Sequence, residues 1–366
     1  MKAYILFLLS LALFVCSCSN RDTDRGVTLD VAGVLNNKSV VPIGDIAERV
    51  TLVPLETNDS VLISYISNVV PYKEYLAIVH NKRCSFFSKE GKYSHKIERI
   101  GNGPEEYLDI TNLFVRDDKV YIYDQTKSRI TIYSLAGKFA GFIGIPKRVT
   151  AVRPMESDMY AGFIANASGR EPTKMLLIDK EGTVVDSIPY KESYENTGPL
   201  SFFYDTDPYI YPYDGQLCFK EMYGDTIFSV GKELRPVPHY VVRLGGNYLK
   251  MEDRYQTITD PRQNPLKGKR YLTKIWESSR YLFLGGVGLD SERSKGTVIY
   301  DKRTKTLRYA DIQYTPQEEQ LFDKKNFVPR FISPDNKLLI STETPVVADD
   351  KKEEDNPVVV LLHLLF

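Results

Sequence analysis

Apolar positions along most of this chain come in runs of three or four β-forming residues, each closed by a polar residue and a turn carrying glycine or lysine. The phrase reads CSFFSKEGK from Cys84, ITIYSLAGK from Ile130, MLLIDKEGT from Met175, DTIFSVGKE from Asp225 and TVIYDKRTK from Thr297. The turn glycines Gly91, Gly137 and Gly182 lie 46 and 45 residues apart, and the later phrases are stretched by insertions. A recurrence of this kind is the mark of a repeat architecture. In the second unit, Leu113–Val115, Val120–Tyr123, Ile130–Tyr133 and Phe139–Ile143 read as four short strands joined by hairpin turns. A lone four-stranded unit leaves both faces uncovered, so several must pack side by side, and a propeller ring is the common solution. With Lys337–Ser341 and the final run Pro357–Phe366, six units can be placed. The pattern predicts an all-β, six-bladed β-propeller of four-stranded antiparallel blades. Arg49–Leu55, ahead of the first full unit, is the expected closing strand. A pair of β-sandwiches split near residue 195 is the competing arrangement, and recurrence of the phrase on both sides of that split favours the ring.

The first residues depart from this grammar. Lys2 precedes an apolar run, Ile5 to Val15, of the length of a signal-peptide core and too short to span a bilayer comfortably. The run ends in Val15-Cys16-Ser17-Cys18 followed by Ser19-Asn20-Arg21-Asp22. This resembles a bacterial lipobox, with Cys18 after the small Ser17 a better acyl acceptor than Cys16 after Val15. The expected organisation is a lipoprotein signal peptide over 1–17, a tether over 18–44 and the propeller over 45–366. Cleavage as an ordinary secretory signal, or retention as an anchor, is the alternative. Several acyl chains satisfy the need for more than one hydrophobic anchor, so the expected partner is the membrane, reached through an N-terminal lipid. The expected location is the bacterial cell envelope, as an outer-membrane lipoprotein.

Composition narrows the classes further. Lys and Arg total 48 against 48 Asp and Glu, so neutral charge and export argue against nucleic acid as a partner. The chain holds 25 Tyr and 17 Phe but one Trp, Trp276, a bias of sheet-rich proteins. With Cys18 acylated and Cys16 removed, Cys84 and Cys218 remain, each in a strand-like run where cysteine behaves as a small buried hydrophobe. No disulfide framework is implied.

Between the first two units stands Ile100-Gly101-Asn102-Gly103-Pro104-Glu105-Glu106-Tyr107. Together with Cys18 and the opening VTLVPLET from Val50, it resembles the six-bladed β-propeller lipoproteins of Bacteroidetes, related in architecture to NHL-repeat and TolB-like propellers. The resemblance implies fold and location rather than chemistry. GNGPEEY lacks the Lys-Ser/Thr of a phosphate loop and no amphipathic helix follows it. Gly101, Gly103, Pro104, Glu106 and Tyr107 are therefore read as an inter-blade structural motif, the glycines supplying special backbone angles and Tyr107 packing between blades.

Candidate chemistry is sparse. His80, His95, His239 and His363 share no ligand spacing, and no G-x-S-x-G elbow is present. No catalytic, cofactor-binding or metal residue is assigned, and no cofactor is named. Phe202-Phe203-Tyr204 with Tyr209, Tyr211 and Tyr213 are rings that either stack on sugars or pack the core. The polar stretch Leu244 to Lys274 and the helix start Thr315-Pro316-Gln317-Glu318 are insertions, and insertions in repeat folds tend to gather on a binding face. DDKKEED, 349–355, reads as a solvated loop. The leading expectation is a binding or protein-interaction module for an envelope protein or glycan. The alternative is a metal-dependent propeller hydrolase or lyase acting on a carbohydrate or lactone, with residues gathered from distant blades.

Overall fold

A computed structural model describes residues 26–191, 193–194, 208–254, 266–287, 296–322, 324–346 and 355–366. Cys18 and the signal segment lie outside the described residues, as do Phe202, Phe203, Tyr204, residues 255–265 of the first insertion and 349–354 of the charged run.

The chain opens with β1 (Val27–Leu29), α1 (Val31–Val34), β2 (Lys38–Pro42) and β3 (Ala47–Pro54). Blade 1 follows as β4 (Asn68–Tyr72), β5 (Tyr75–His80), β6 (Arg83–Ser88) and β7 (Tyr93–Ile97). Blade 2 is β8 (Asn112–Arg116), β9 (Lys119–Asp124), β10 (Arg129–Ser134) and β11 (Phe139–Gly144). Blade 3 is β12 (Ala151–Pro154), β13 (Tyr160–Phe163), β14 (Thr173–Ile178) and β15 (Val184–Pro189). Blade 4 comprises β16 (Tyr209–Tyr213), β17 (Gln216–Lys220), β18 (Thr226–Val230) and β19 (Val237–Val242), after which α2 (Met251–Arg254) leads out. Blade 5 is β20 (Lys274–Glu277), β21 (Tyr281–Gly285), β22 (Thr297–Asp301) and β23 (Thr306–Gln313), followed by α3 (Pro316–Phe322) and β24 (Asn326–Phe327), which pairs with β23. Blade 6 takes β25 (Phe331–Ile332), β26 (Leu338–Glu343) and β27 (Val358–Leu364) from the C-terminus, and β3 from the N-terminus.

The recurring sequence phrase is the third strand of its blade and the turn after it. Gly91, Gly137 and Gly182 take φ of +86°, +77° and +88° in those turns, a region open to glycine at no steric cost. Strands covered on both faces read as near-continuous apolar runs, and the core between blades is predominantly apolar. Each adjacent pair of blades encloses one apolar layer, such as Val53, Phe87 and Val359 between blades 6 and 1, or Cys84, Tyr107 and Ile122 between blades 1 and 2.

Ring closure is antiparallel: β3 pairs with β27 from Val358↔Pro54 to Leu364↔Ala47. The stretch expected as a tether differs from a free link, because β1 lies parallel to β19 on the outside of blade 4 and β2 lies parallel to β23 on the outside of blade 5. Residues 26–54 therefore run as a strap around three consecutive blades. Leu29, Val31, Val41 and Ile43 are buried beneath it, and their apolar spacing is what a solvated tether would lack.

One buried group in blade 1 gives the fold a pH dependence. His80 donates or accepts through Nε2 with Ser85 Oγ at 2.8 Å, while its Nδ1 is buried without a partner. Burial, then the charges of Arg83 and Lys96, push its pKa down to about 4. A histidine held neutral in the fold contributes stability above its unfolded pKa of about 6.5, and that contribution declines as pH falls toward the folded value. Stability is expected to drop by up to about 2 kcal/mol between pH 6.5 and 5. Urea midpoints at pH 7 and 5 check this, since His80→Gln should flatten the slope.

Candidate functional site

Charge at a buried strand position marks the first candidate. In β20, Ile275 and Glu277 share the face toward blade 4, whereas Trp276 packs toward blade 6, as period-two alternation requires. Glu277 is 0% exposed. Its carboxylate accepts from Tyr211 OH at 2.9 Å, Tyr240 OH at 2.9 Å and His239 Nε2 at 2.9 Å, and pairs with Lys302 Nζ at 2.7 Å. Lys302 also donates to Ser278 O at 2.6 Å and sits 4.0 Å from the centre of the Tyr213 ring. Burial alone would raise the Glu277 pKa, yet the hydrogen bond from His239 and the charge of Lys302 hold it below the ordinary carboxylate value. Burial and the Glu277 charge push the Tyr211 and Tyr240 hydroxyls well upward, which keeps them as donors.

Cys218, His239 and Glu277 bring one ligand atom each within 4.8 Å of one another, and thiolate, imidazole and carboxylate are a zinc donor set. The group does not fit a resident metal. Burial, then the charge of Glu277, pushes the Cys218 thiol up to about 12, so the free side chain stays protonated. Lys302 already neutralises the carboxylate, and no atom of the cluster is a buried polar orphan among the described residues. The cluster is an inter-blade knot joining blade 4 to blade 5.

The second candidate is the mouth of the ring axis. Turns between first and second strands of blades 2, 3, 4 and 6 line a cavity of about 560 Å³, with Arg116, Glu156, Asp158, Pro212, Tyr213 and Asn336 in its wall. Arg116 pairs with Asp158 at 3.0 Å and lies over the Tyr121 and Tyr160 rings, and Lys232 pairs with Glu156 at 2.9 Å. The mouth is broad, and most of its charge is internally paired.

We call the side formed by the first-to-second and third-to-fourth strand turns the turn face, and the opposite side the connection face. Every long connection begins and ends on the connection face: 190–208 between β15 and β16, 243–273 between β19 and β20, 286–296 between β21 and β22, 314–330 between β23 and β25, and 344–357 between β26 and β27. Here Lys174 pairs with Glu221 at 2.6 Å and lies 5.0 Å from the Tyr190 ring centre. Arg254 lies over the Tyr194 and Tyr223 rings and donates to Asn166 O at 2.8 Å. The insertion expected to be polar surface carries its own small core, in which Leu249, Leu266 and Tyr271 pack with Met222 and Tyr223. The helix at Pro316 has the capping box read from its sequence, with Thr315 N–H donating to Glu318 Oε2 at 2.9 Å.

GNGPEEY also lies on the connection face, between β7 and β8. Glu106 Oε2 accepts from Gly103 N–H at 2.7 Å, Lys127 Nζ donates to Glu106 O at 2.8 Å, and buried Tyr107 donates to Ile97 O at 2.9 Å. Gly101 and Gly103 do not take positive φ, which corrects the expectation of special backbone angles. A Cβ at either would meet the Glu106 carboxylate, which would have to turn aside. Pro104 stands at the head of the turn, where its carbonyl accepts from Arg129 at 2.9 Å.

Of the four histidines only His239 joins a cluster. His95 stacks on Phe86 with ring centres 4.6 Å apart, and His363 lies against Arg49 and Thr51. Cys84 and Cys218 are free and buried. Tyr211 belongs to the knot, and Tyr209 and Tyr213 pack beside it. Glu277 and Lys302 were missed from the sequence. The signal was an acid two residues after Ile275, on the face that alternation assigns to the core.

Fold and site together define a six-bladed β-propeller. The chain belongs to the family described as "Domain of unknown function (DUF4934)", whose model matches residues 26–363. No curated protein matches its sequence. A protein of Bacteroides fragilis described as exported is similar in structure at 17% identity, with a TM-score of 0.69 over 93% of this chain and 99% of the other. A member of the DUF4221 family from Bacteroides vulgatus is 12% identical with a TM-score of 0.49, covering 87% of this chain and 97% of that one. Virginiamycin B lyase of Staphylococcus aureus is 13% identical with a TM-score of 0.44, covering 86% and 100%.

Proposed function

We propose that this protein is an exported propeller of the bacterial cell envelope, acylated at Cys18, that acts as a binding module for an envelope protein or glycan through its connection face. The observation that carries the reading is the one-sidedness of the loops: every long connection leaves the ring on that face, and binding residues concentrate on loops positioned by a rigid scaffold. The lipobox-like Ser17-Cys18 and the description of the Bacteroides fragilis neighbour as exported support the location. The hydrolase or lyase reading receives less support, because the one described group with metal-ligand chemistry already has its carboxylate neutralised by Lys302.

Metabolic labelling with a fatty acid tests the anchor. Cys18→Ala should lose the label and leave the membrane fraction, whereas undiminished label would remove Cys18 as the acylated residue. Photo-crosslinking tests the binding face. A crosslinking residue at exposed Thr126, in the β9–β10 turn on the connection face, should capture a discrete envelope component, and one at Lys138 on the turn face should not. Capture from Lys138 alone would place binding on the wrong side of the ring.

A further inference from the structure

We infer that the anchored ring sits with its turn face toward the bilayer, the basic rim of that face resting on anionic lipid headgroups. The inference rests on acylation of Cys18 as proposed above, and two independent features of the structure carry it.

The first is where the chain enters the ring. β1 runs parallel to β19 from its middle toward the connection face, with Val27 paired to Tyr240, and Gly26 comes in from the turn-face side, packed so closely on Pro238 and His239 that a Cβ there would lie 3.0 Å from Pro238 O. His239 itself reaches Glu277, at the turn-face end of β20. A fully extended link from Cys18 to Gly26 spans at most about 28 Å. A free tether over 18–44 would have allowed about 90 Å and any orientation. The strap removes most of that freedom.

The second feature is charge. The third-to-fourth strand turns expose Lys92, Lys138, Lys180, Lys232, Arg303 and Lys305, one or more from each of blades 1 to 5, against the exposed acids Glu90, Glu181 and Glu233. These turns are level with the first-to-second strand turns, since Lys89 pairs with Glu74, Lys232 with Glu156, and Lys302 with Ser278 O. Nearer the axis, the acids Asp118 and Asp158 carry cation partners, Lys73 and Arg116. Lys232 and Lys180 are paired with Glu156 and Glu181, and the outer rim as a whole keeps an excess of basic over acidic side chains. Each basic side chain held at an anionic lipid surface favours binding by about fivefold. Headgroup phosphates are the matching occupant, and the connection face is turned away from the bilayer.

The test uses the full-length acylated protein, reconstituted in vesicles containing anionic phospholipid and a headgroup-level quencher. Single variants Lys138→Cys and Thr126→Cys carry a thiol-linked fluorophore, with Arg303→Cys as a second turn-face position; Cys84 and Cys218 are buried and stay unlabelled. Quenching is expected to be several-fold stronger at 138 and 303 than at 126. Raising salt from about 0.1 M to 1 M, which shortens the screening length from about 10 Å to 3 Å, should shrink that difference while the protein stays on the vesicles. Equal quenching, or stronger quenching at 126, in protein whose acyl label is present overturns the orientation and leaves the anchor standing. Absence of acyl label at Cys18 removes the anchor and the orientation together.

Discussion

Deleting Ala47–Pro54 is expected to abolish the cooperative unfolding of the whole ring rather than to trim one edge. β3 supplies the fourth strand of blade 6 and pairs with β27 along its length. Val53 and Ala47 are buried in two different inter-blade layers, Val53 between blades 6 and 1 and Ala47 between blades 5 and 6. Each fully buried aliphatic side chain contributes about 1.5–3 kcal/mol, and the hydrogen bonds to β27 are lost with them. A domain's entire net stability is about 5–15 kcal/mol, so the loss is of the same order as the total. The deletion should give a broad, low transition by calorimetry and protease sensitivity throughout blades 1 to 6. A variant that melts like the full chain would show that closure rests elsewhere.

Glu277→Ala should lower stability by about 3–5 kcal/mol, because it leaves the Lys302 ammonium and two tyrosine hydroxyls without their shared acceptor in the interior. That corresponds to a fall in Tm of about 4–7 °C in a chain of this size. Glu277→Gln keeps an acceptor for Tyr211 and Tyr240 and loses only the charge, so it should fall between the two. The pair Glu277→Gln with Lys302→Met should recover part of the loss, since neither charge is then stranded. The pH sign follows from the depressed pKa of Glu277. The carboxylate's contribution is present above its unfolded value of about 4.3 and is lost as pH falls through the folded one. A Tm for Glu277→Ala within a degree of wild type would reduce the knot to an incidental contact. A rise in Tm with one equivalent of zinc, abolished by Cys218→Ser, would restore the metal reading set aside above.

Strand runs and turn glycines were legible because they obey local rules: period-two alternation in Val120–Tyr123, and a positive φ at Gly91, Gly137 and Gly182. The closing strand Arg49–Leu55 was legible because its alternation stood outside any complete unit. The strap was not, since β1 and β2 are short and pair with strands more than two hundred residues later, and nothing local announces a parallel partner at that distance. Glu277 shows the same limit. Its strand was readable, but its partners Tyr211, His239, Tyr240 and Lys302 come from three other stretches of the two blades, and only the assembled ring brings them together. For Gly101 and Gly103 the expectation of special backbone angles failed, since neither takes positive φ, and the nearby Glu106 carboxylate is a neighbour that only the folded turn reveals.

The strap also fixes an order of events during synthesis. β1, β2 and β3 leave the ribosome first, but β19, β23 and β27, on which they pair, are made later, the last of them at the very end of the chain. β1 and β2 gain their partners once residues 242 and 313 are made, but β3 has none until Val358–Leu364 has emerged, and contacts of such sequence separation form slowly because the loop must close before pairing rewards it. The ring thus carries its own delay, since blade 6 stays open until the final strand arrives.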